Sequence, residues 1–210
     1  ARETVERWEI DGVNTPTVYS VTEQSADGLQ RSQTVNGQTE QTVLSYNGSG
    51  VRTETITKAD GTSVLNTFDA GRLVSSAVRD TSDQTIRSIT YAYGPHGRLL
   101  SEMLAGIGAT SYTYSVDDQI ASITTPDPDT SLAGEGFDAF TTQYEYDDRG
   151  QLIKFTHPDG AETHTSYYPT GKIKRTWGAR TYPAEYGYDP QQRVTSMKTW
   201  KDFAGDSGAA

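Results

Sequence analysis

Two aromatic residues, spaced two apart and followed by a turn, return along this chain at a nearly fixed interval. That recurrence limits the possible fold more than any other feature. The clearest copy is Tyr144-Glu145-Tyr146-Asp147-Asp148-Arg149-Gly150-Gln151-Leu152-Ile153. In an extended chain residues two apart share a face, so both rings stand together with Glu145 opposite. Asp147 to Gly150 is turn chemistry: Asp bonds the backbone two residues on, and Gly accepts the positive φ of a tight reversal. Leu152 then opens a second strand.

The second aromatic of each copy falls at Tyr46, Phe68, Tyr93, Tyr114, Tyr146, Tyr167 and Tyr188. The first ring is present at Tyr91, Tyr112, Tyr144 and Tyr186. The steps from Tyr93 to Tyr114, Tyr146 to Tyr167 and Tyr167 to Tyr188 are each 21 residues. The step from Tyr114 to Tyr146 holds one repeat plus an insertion of about eleven residues. Four residues after the second aromatic comes the turn glycine or its substitute: Gly50, Gly97, Asp118, Gly150, Gly171 and Gln192. Phe68 to Gly71 is one residue short, which predicts a different turn there. A basic or amide residue follows, as at Arg98, Gln119, Gln151, Lys172 and Arg193, with Arg72 after the short turn. Between the aromatic marks, Asp60-Gly61 and Asp159-Gly160 read as two-residue hairpin connections, with Asp27-Gly28 and Asp11-Gly12 as more divergent examples.

Each unit therefore holds two strands and two turns, with about seven residues or ~23 Å per strand. The segments between turns are rich in Thr, Ser, Val and Ile, and no apolar helical period persists. The expected fold is all-β: tandem hairpins forming a continuous, curved antiparallel sheet that grows along the sequence. Residues 1–40 keep the alternation without the Tyr pair and read as a degenerate repeat or cap. Residues 41–205 are the repeat array, with an inserted loop at 126–140, and 206–210 are a tail. Two X-Pro steps and two glycines argue for the loop, with Phe137 and Phe140 expected to tuck back onto the sheet.

Leu, Ile, Val and Phe are scarce, and the net charge is −10. Chains of that composition are often disordered. Here thirteen Tyr and three Trp supply large stiff side chains, and all the Tyr except Tyr19 and Tyr182 sit in the repeated device. Regular placement argues for order with a thin core. The ring ladder is open to two readings, a cross-strand aromatic interior or a platform for sugar rings. The aromatics expected to be free for ligand stacking are Trp177, Tyr182 and Trp200.

With no cysteine, disulfide frameworks and thiolate chemistry are excluded. No apolar run is long enough for a transmembrane helix, and the first residues lack a signal-peptide core. The linker-like end, Asp206-Ser-Gly-Ala-Ala, reads as a cut from a longer repeat protein. An acidic chain does not suit nucleic acid. Charge is uneven: residues 106–148 hold nine Asp or Glu and no Lys or Arg, whereas residues 171–201 hold seven Lys or Arg against two acids. His96, His157 and His164 occupy a turn, a turn-adjacent site and a strand, and none has a catalytic spacing partner. Asp147-Asp148, Asp117-Asp118 and Asp127-x-Asp129 offer carboxylates to calcium but lack a calcium-loop pattern. No catalytic, cofactor-binding or metal residue is assigned, and Asn47-Gly48-Ser49 reads as a turn signature.

The repeated Tyr-x-Tyr-Asp-x-x-Gly-[Arg/Gln]-[Leu/Ile] resembles the YD repeat of the RHS (rearrangement hot spot) family, over roughly residues 42–202. Tyr144–Ile153 fits nearly position by position. Tyr91–Leu100 carries Gly94 in place of Asp, and Tyr186–Val194 carries Gln192 in place of Gly. The resemblance implies a non-enzymatic scaffold in a secreted or cell-surface bacterial protein, supplying the wall of a shell or stalk. The partners it implies are the rest of the parent repeat protein and an enclosed toxin, with self-association through exposed sheet edges and no membrane insertion. The alternatives are a carbohydrate-binding module and a calcium-stabilised adhesin. The family's Asp-Pro-x-Gly-Leu cleavage motif is missing, since Asp189-Pro190 continues into Gln191-Gln192.

Overall fold

The computed structural model describes residues 3–10, 16–127 and 139–201. Every regular element among them is a β-strand, and every pairing with a recorded register is antiparallel. The chain divides into two compact units, residues 1–108 and 109–210.

The first unit runs through β1 (Glu3–Ile10), β2 (Pro16–Gln24), β3 (Gln30–Val35), β4 (Gln38–Tyr46) and β5 (Arg52–Thr57). It continues with β6 (Ser63–Asp69), β7 (Arg72–Arg79), β8 (Thr85–Tyr93) and β9 (Leu99–Leu104). Each strand pairs with the next in sequence order. The second unit repeats this plan with β10 (Gly108–Tyr114), β11 (Ile120–Pro126), β12 (Ala139–Tyr146) and β13 (Leu152–Thr156). It ends with β14 (Glu162–Tyr167), β15 (Ile173–Gly178), β16 (Thr181–Tyr188) and β17 (Val194–Thr199), again paired in order. The all-β hairpin reading holds, and strands of five to nine residues match the expected length.

One turn design recurs. The N–H of Asp147 bonds the carbonyl of Gln151 at 2.9 Å, and the N–H of Gly150 returns to the carbonyl of Asp147 at 2.9 Å. The same pair of bonds begins at Asn47, Lys58, Asp80, Gly94, Ser115, His157, Tyr168 and Asp189. This is a three-residue connection whose last residue is left-handed. Glycine fills that position where it can. Asp83, Asp118 and Gln192 occupy it at φ of 62°, 64° and 66°, as the substitutions for glycine required of the last two.

The connections at Asp60-Gly61 and Asp159-Gly160 correct the sequence reading: they are three-residue turns of this same design, not two-residue ones. The aspartate sits in the middle and accepts an N–H two residues on, from Thr62 at 2.9 Å and Ala161 at 3.1 Å. True two-residue turns occur at Ala70-Gly71, where the spacing predicted a change, and at Asn36-Gly37. Asp11-Gly12 lies outside the described residues, as do residues 128–138 of the insertion and the tail at 206–210. Phe140 is the second residue of β12, opposite Thr125 and 38% exposed. Phe137 lies outside the described residues.

Beside most of the aromatic turns the ladder slips by one residue. Tyr93, Tyr114, Tyr146, Tyr167 and Tyr188 each sit at such a bulge, opposite Leu99, Ile120, Leu152, Ile173 and Val194. A bulge adds local twist and re-aims the neighbouring side chain. Among the described residues only Ser20, Gly94 and Ala184 are buried, and no large side chain is fully buried. Support must therefore come from contacts between successive hairpins.

Candidate functional site

Those contacts form a seam along the aromatic turns. Hydrogen bonds in an antiparallel ladder alternate. Asp147 and Gln151 form a bonded pair at the neck of their turn, so the next residue, Leu152, aims its carbonyl away from β12 and towards β14. There the hydroxyl of Tyr167 donates to it at 2.9 Å. The same bond recurs from Tyr146 to Ile120 at 3.0 Å, from Tyr188 to Ile173 at 3.0 Å and from Tyr93 to Leu73 at 2.9 Å. These four repeat tyrosines thus tie their hairpins to the preceding ones. Phe68 has no hydroxyl, and the Arg52 guanidinium lies 3.9 Å from its ring centroid instead.

A second strut runs the other way. Gln119 Nε2 donates to the carbonyl of Gly150 at 2.8 Å, and Gln151 Nε2 donates to that of Gly171 at 3.3 Å. Arg149 reaches the carbonyl of Pro169 at 2.9 Å. Two cationic residues at this position lie against the next ring instead: Arg72 over Tyr93 at 5.8 Å and Lys172 over Tyr188 at 6.0 Å. At Arg72, Gln119, Gln151 and Lys172 the basic or amide residue after the turn, visible in the sequence as a habit, is a forward tie of the seam.

The mark rings are half-buried, except Tyr46 at 61% exposed. Tyr144 packs edge-on to Phe155 at 5.2 Å, and Tyr168 edge-on to Tyr188 at 6.0 Å. Tyr168 also donates to the carbonyl of Tyr186 at 3.1 Å. Burial pushes the Tyr146 phenol above its usual range, with Tyr144 adding to the shift. Tyr167 is raised by burial and then by the charge of Asp147 on the preceding turn. Tyr91 and Tyr112 are half-buried on β8 and β10.

Strand alternation puts a charged row on the other face. Glu145, Lys154, His164 and Trp177 are successive cross-strand partners. Lys154 bridges Glu145 at 3.0 Å and Glu162 at 2.8 Å, and His164 meets Glu162 at 3.2 Å. These bonds, Glu162 first, raise Lys154, and the Lys154 ammonium lowers Glu162. A parallel row joins Arg175, Glu185 and Lys198, and the Arg175 hydrogen bond holds Glu185 low. The sequence reading did not pick out these pairs, although Glu and Lys at alternate strand positions were a usable signal.

The three aromatics expected to be free are dispersed. Trp177 stacks on His164, 5.4 Å between centroids and 11° between planes. Tyr182 stands 69% exposed on β16, and Trp200 is half-buried just beyond β17. His96 is an exposed turn residue, and His157 lies edge-on to Phe155 at 4.6 Å. No group of three His, Asp or Glu suited to a metal ion occurs among the described residues, and Asp129 lies outside them. No helix among the described residues is long and apolar enough to cross a membrane.

Two solved structures show some similarity. A crystal structure of TcdB2–TccC3–Cdc42 is 16% identical with a TM-score of 0.48, and it covers 89% of this chain but 14% of that one. A porin-like protein from Bacteroides uniformis is 10% identical with a TM-score of 0.30, covering 94% of this chain and 88% of that one. Both scores are too low to carry a structural argument. No curated protein matches. The family model described as teneurin YD-shell matches residues 19–204, which takes in every aromatic turn of the seam. The chain belongs to the teneurin YD-shell family.

Proposed function

We propose that this chain is a non-enzymatic length of wall, a YD-repeat sheet segment in the shell of a larger secreted or surface protein. The observation that carries the reading is the series of four tyrosine hydroxyls bonded to backbone carbonyls of the preceding hairpin. The polar ends of the repeated rings are spent on joining hairpins, as a wall requires and a binding platform does not. The charged rows on the opposite face are likewise paired within the sheet. Membership of the YD-shell family supports the same role. The partners this reading implies are the remainder of a parent repeat protein and an enclosed toxin.

Urea unfolding followed by tryptophan fluorescence and far-UV circular dichroism tests it. Tyr146→Ala should lower the midpoint by both probes together, since a tie between hairpins is lost. An unchanged midpoint, with a glycan-binding activity abolished by the same substitution, would overturn the wall in favour of a carbohydrate-binding module.

A further inference from the structure

One repeat turn stands outside the seam. β3 begins at Gln30, opposite Val43, and the N–H of Leu44 takes the carbonyl of Leu29 at 2.7 Å. Tyr46 lies beyond both positions at the end of β4, so it overhangs the preceding hairpin. Its hydroxyl bonds none of the described residues, and the ring is 61% exposed. The turn that follows, Asn47 to Gly50, is exposed at every residue. A Cβ at Gly48 or Gly50 would meet nothing within 4 Å. At matching turns a neighbour fills that space: Arg72 would lie 2.9 Å from a Cβ on Gly97, and Gln119 3.1 Å from one on Gly150.

The residue at the neck of this turn also differs from its counterparts. Asp147 accepts the N–H groups of Arg149 and Gln151, each at 2.9 Å, and a carboxylate suffices for that. Asn47 makes the same two bonds through Oδ1, from Ser49 at 3.0 Å and Val51 at 2.9 Å. The turn has no use for an amide nitrogen, and Nδ2 bonds none of the described residues. With Oδ1 held on the turn, Nδ2 is left to solvent. Asn47-Gly48-Ser49 is also the one Asn-x-Ser/Thr run in the chain, since Pro16, Gln38 and Phe68 stand two positions after the other asparagines.

We propose that Asn47 is a site of N-linked glycosylation and that its first sugar covers the ring of Tyr46. The donor is a polyprenyl-diphosphate-linked oligosaccharide, delivered by the transferase of a secretory compartment. A bond forms between Asn47 Nδ2 and the anomeric carbon as that carbon's bond to the diphosphate oxygen breaks. One proton leaves Nδ2 for a base on the transferase, and the lipid diphosphate departs. Tyr46 adjoins Asn47 in sequence, and covering its ring removes apolar surface from water. The glycan thus stands in for the preceding hairpin that covers other rings of the series. The proposal rests on the reading of this chain as part of a secreted or surface protein, and deepens it by naming a modification met on that route.

The test directs the full chain into the secretory pathway of a eukaryotic cell with a cleavable leader. Exported and retained chain are both mapped by mass spectrometry, so poor export does not hide the result. A glycan should be found on Asn47, and peptide-N-glycosidase should remove it and leave Asp there. Ser49→Ala should abolish it, and Ser49→Thr should retain it. Nitration by tetranitromethane should be several-fold slower at Tyr46 with the glycan than after its removal, and equal at Tyr182, which is 69% exposed. A bare Asn47 in both fractions, or a glycan that survives Ser49→Ala, overturns the site. Equal nitration of Tyr46 with and without the glycan overturns the covering of the ring. If Asn47 is bare while the chain still unfolds as one unit in urea, the site falls and the wall reading stands.

Discussion

The hydroxyl of Tyr167 donates to the carbonyl of Leu152 at 2.9 Å, across the gap between one hairpin and the next. Fifteen positions separate the two residues, and neither carries chemistry of its own. A net hydrogen bond contributes about 1 kcal/mol, and removing the donor leaves a partly buried carbonyl unpaired. Tyr167→Phe should therefore cost about 1 kcal/mol in urea unfolding. Tyr167→Ala should cost about 3 kcal/mol, because the ring's packing goes too.

The left-handed turn position can be tested in both directions. Asp118 and Gln192 hold φ of 64° and 66°, which costs a residue with a Cβ roughly 1 kcal/mol relative to glycine. Asp118→Gly and Gln192→Gly should each raise the melting midpoint. Gly150→Ala should lower it, since a Cβ there meets Gln119 Nε2 at 3.1 Å as well as the backbone strain. Calorimetry on the three variants checks the opposite signs.

Gly178 should be the least replaceable glycine. A Cβ there would lie 2.1 Å from the carbonyl oxygen of Glu162 and 2.8 Å from the Cα of Thr163, both backbone atoms of β14. Relief requires β14 and β15 to separate. Gly178→Ala should cost more than about 3 kcal/mol, as severe overpacking does. Retention of the parent midpoint would contradict the close approach.

Stability should form a plateau with pH. Asp27, Asp60, Asp159, Asp189, Glu162 and Glu185 are all held below their ordinary values, Asp60 chiefly by its bonds to Thr62 and Asp159 chiefly by the Ala161 N–H. A depressed carboxyl contributes stability above its unfolded pKa and loses it as pH falls through the folded value. The acid limb should start near pH ~4, the ordinary range of carboxyl groups. Tyr146, Tyr167 and Lys154 are raised, so their contribution holds below their unfolded values and fades as pH rises through the folded ones. The alkaline limb should start near pH ~10. Urea midpoints measured from pH 3 to 11 check both limbs.

The strand and turn plan was legible because turn chemistry is local. The Asp-x-x-Gly run at 147–150 specifies its own reversal, and Asp118 and Gln192 were readable as stand-ins for its glycine. The distinction drawn at Asp60-Gly61 failed because Asp-Gly suits two turn designs; which one forms depends on whether Asp60 enters the turn first or second. The seam was half legible. Spacing picked out Tyr146 and Tyr167 as fixed and showed a basic or amide residue after each turn. It did not show that Tyr146 reaches back 26 residues to Ile120, because that bond depends on which way a carbonyl points across a ladder. The bulges were silent in the sequence for the same reason: no residue type marks the position where Tyr146 comes to face Leu152.

The ties of Tyr93, Tyr146, Tyr167 and Tyr188 all point one way along the chain, from a later hairpin to an earlier one. As the polypeptide emerges from a ribosome or a secretion channel, each of these four phenols meets an acceptor already in place, whereas each glutamine strut must wait for the next turn to arrive. Assembly in the order of synthesis therefore needs no contact with chain that has yet to appear. Started from the other end, each hairpin would form with its phenol unpartnered, so the same set of bonds gives the wall a direction in which to grow.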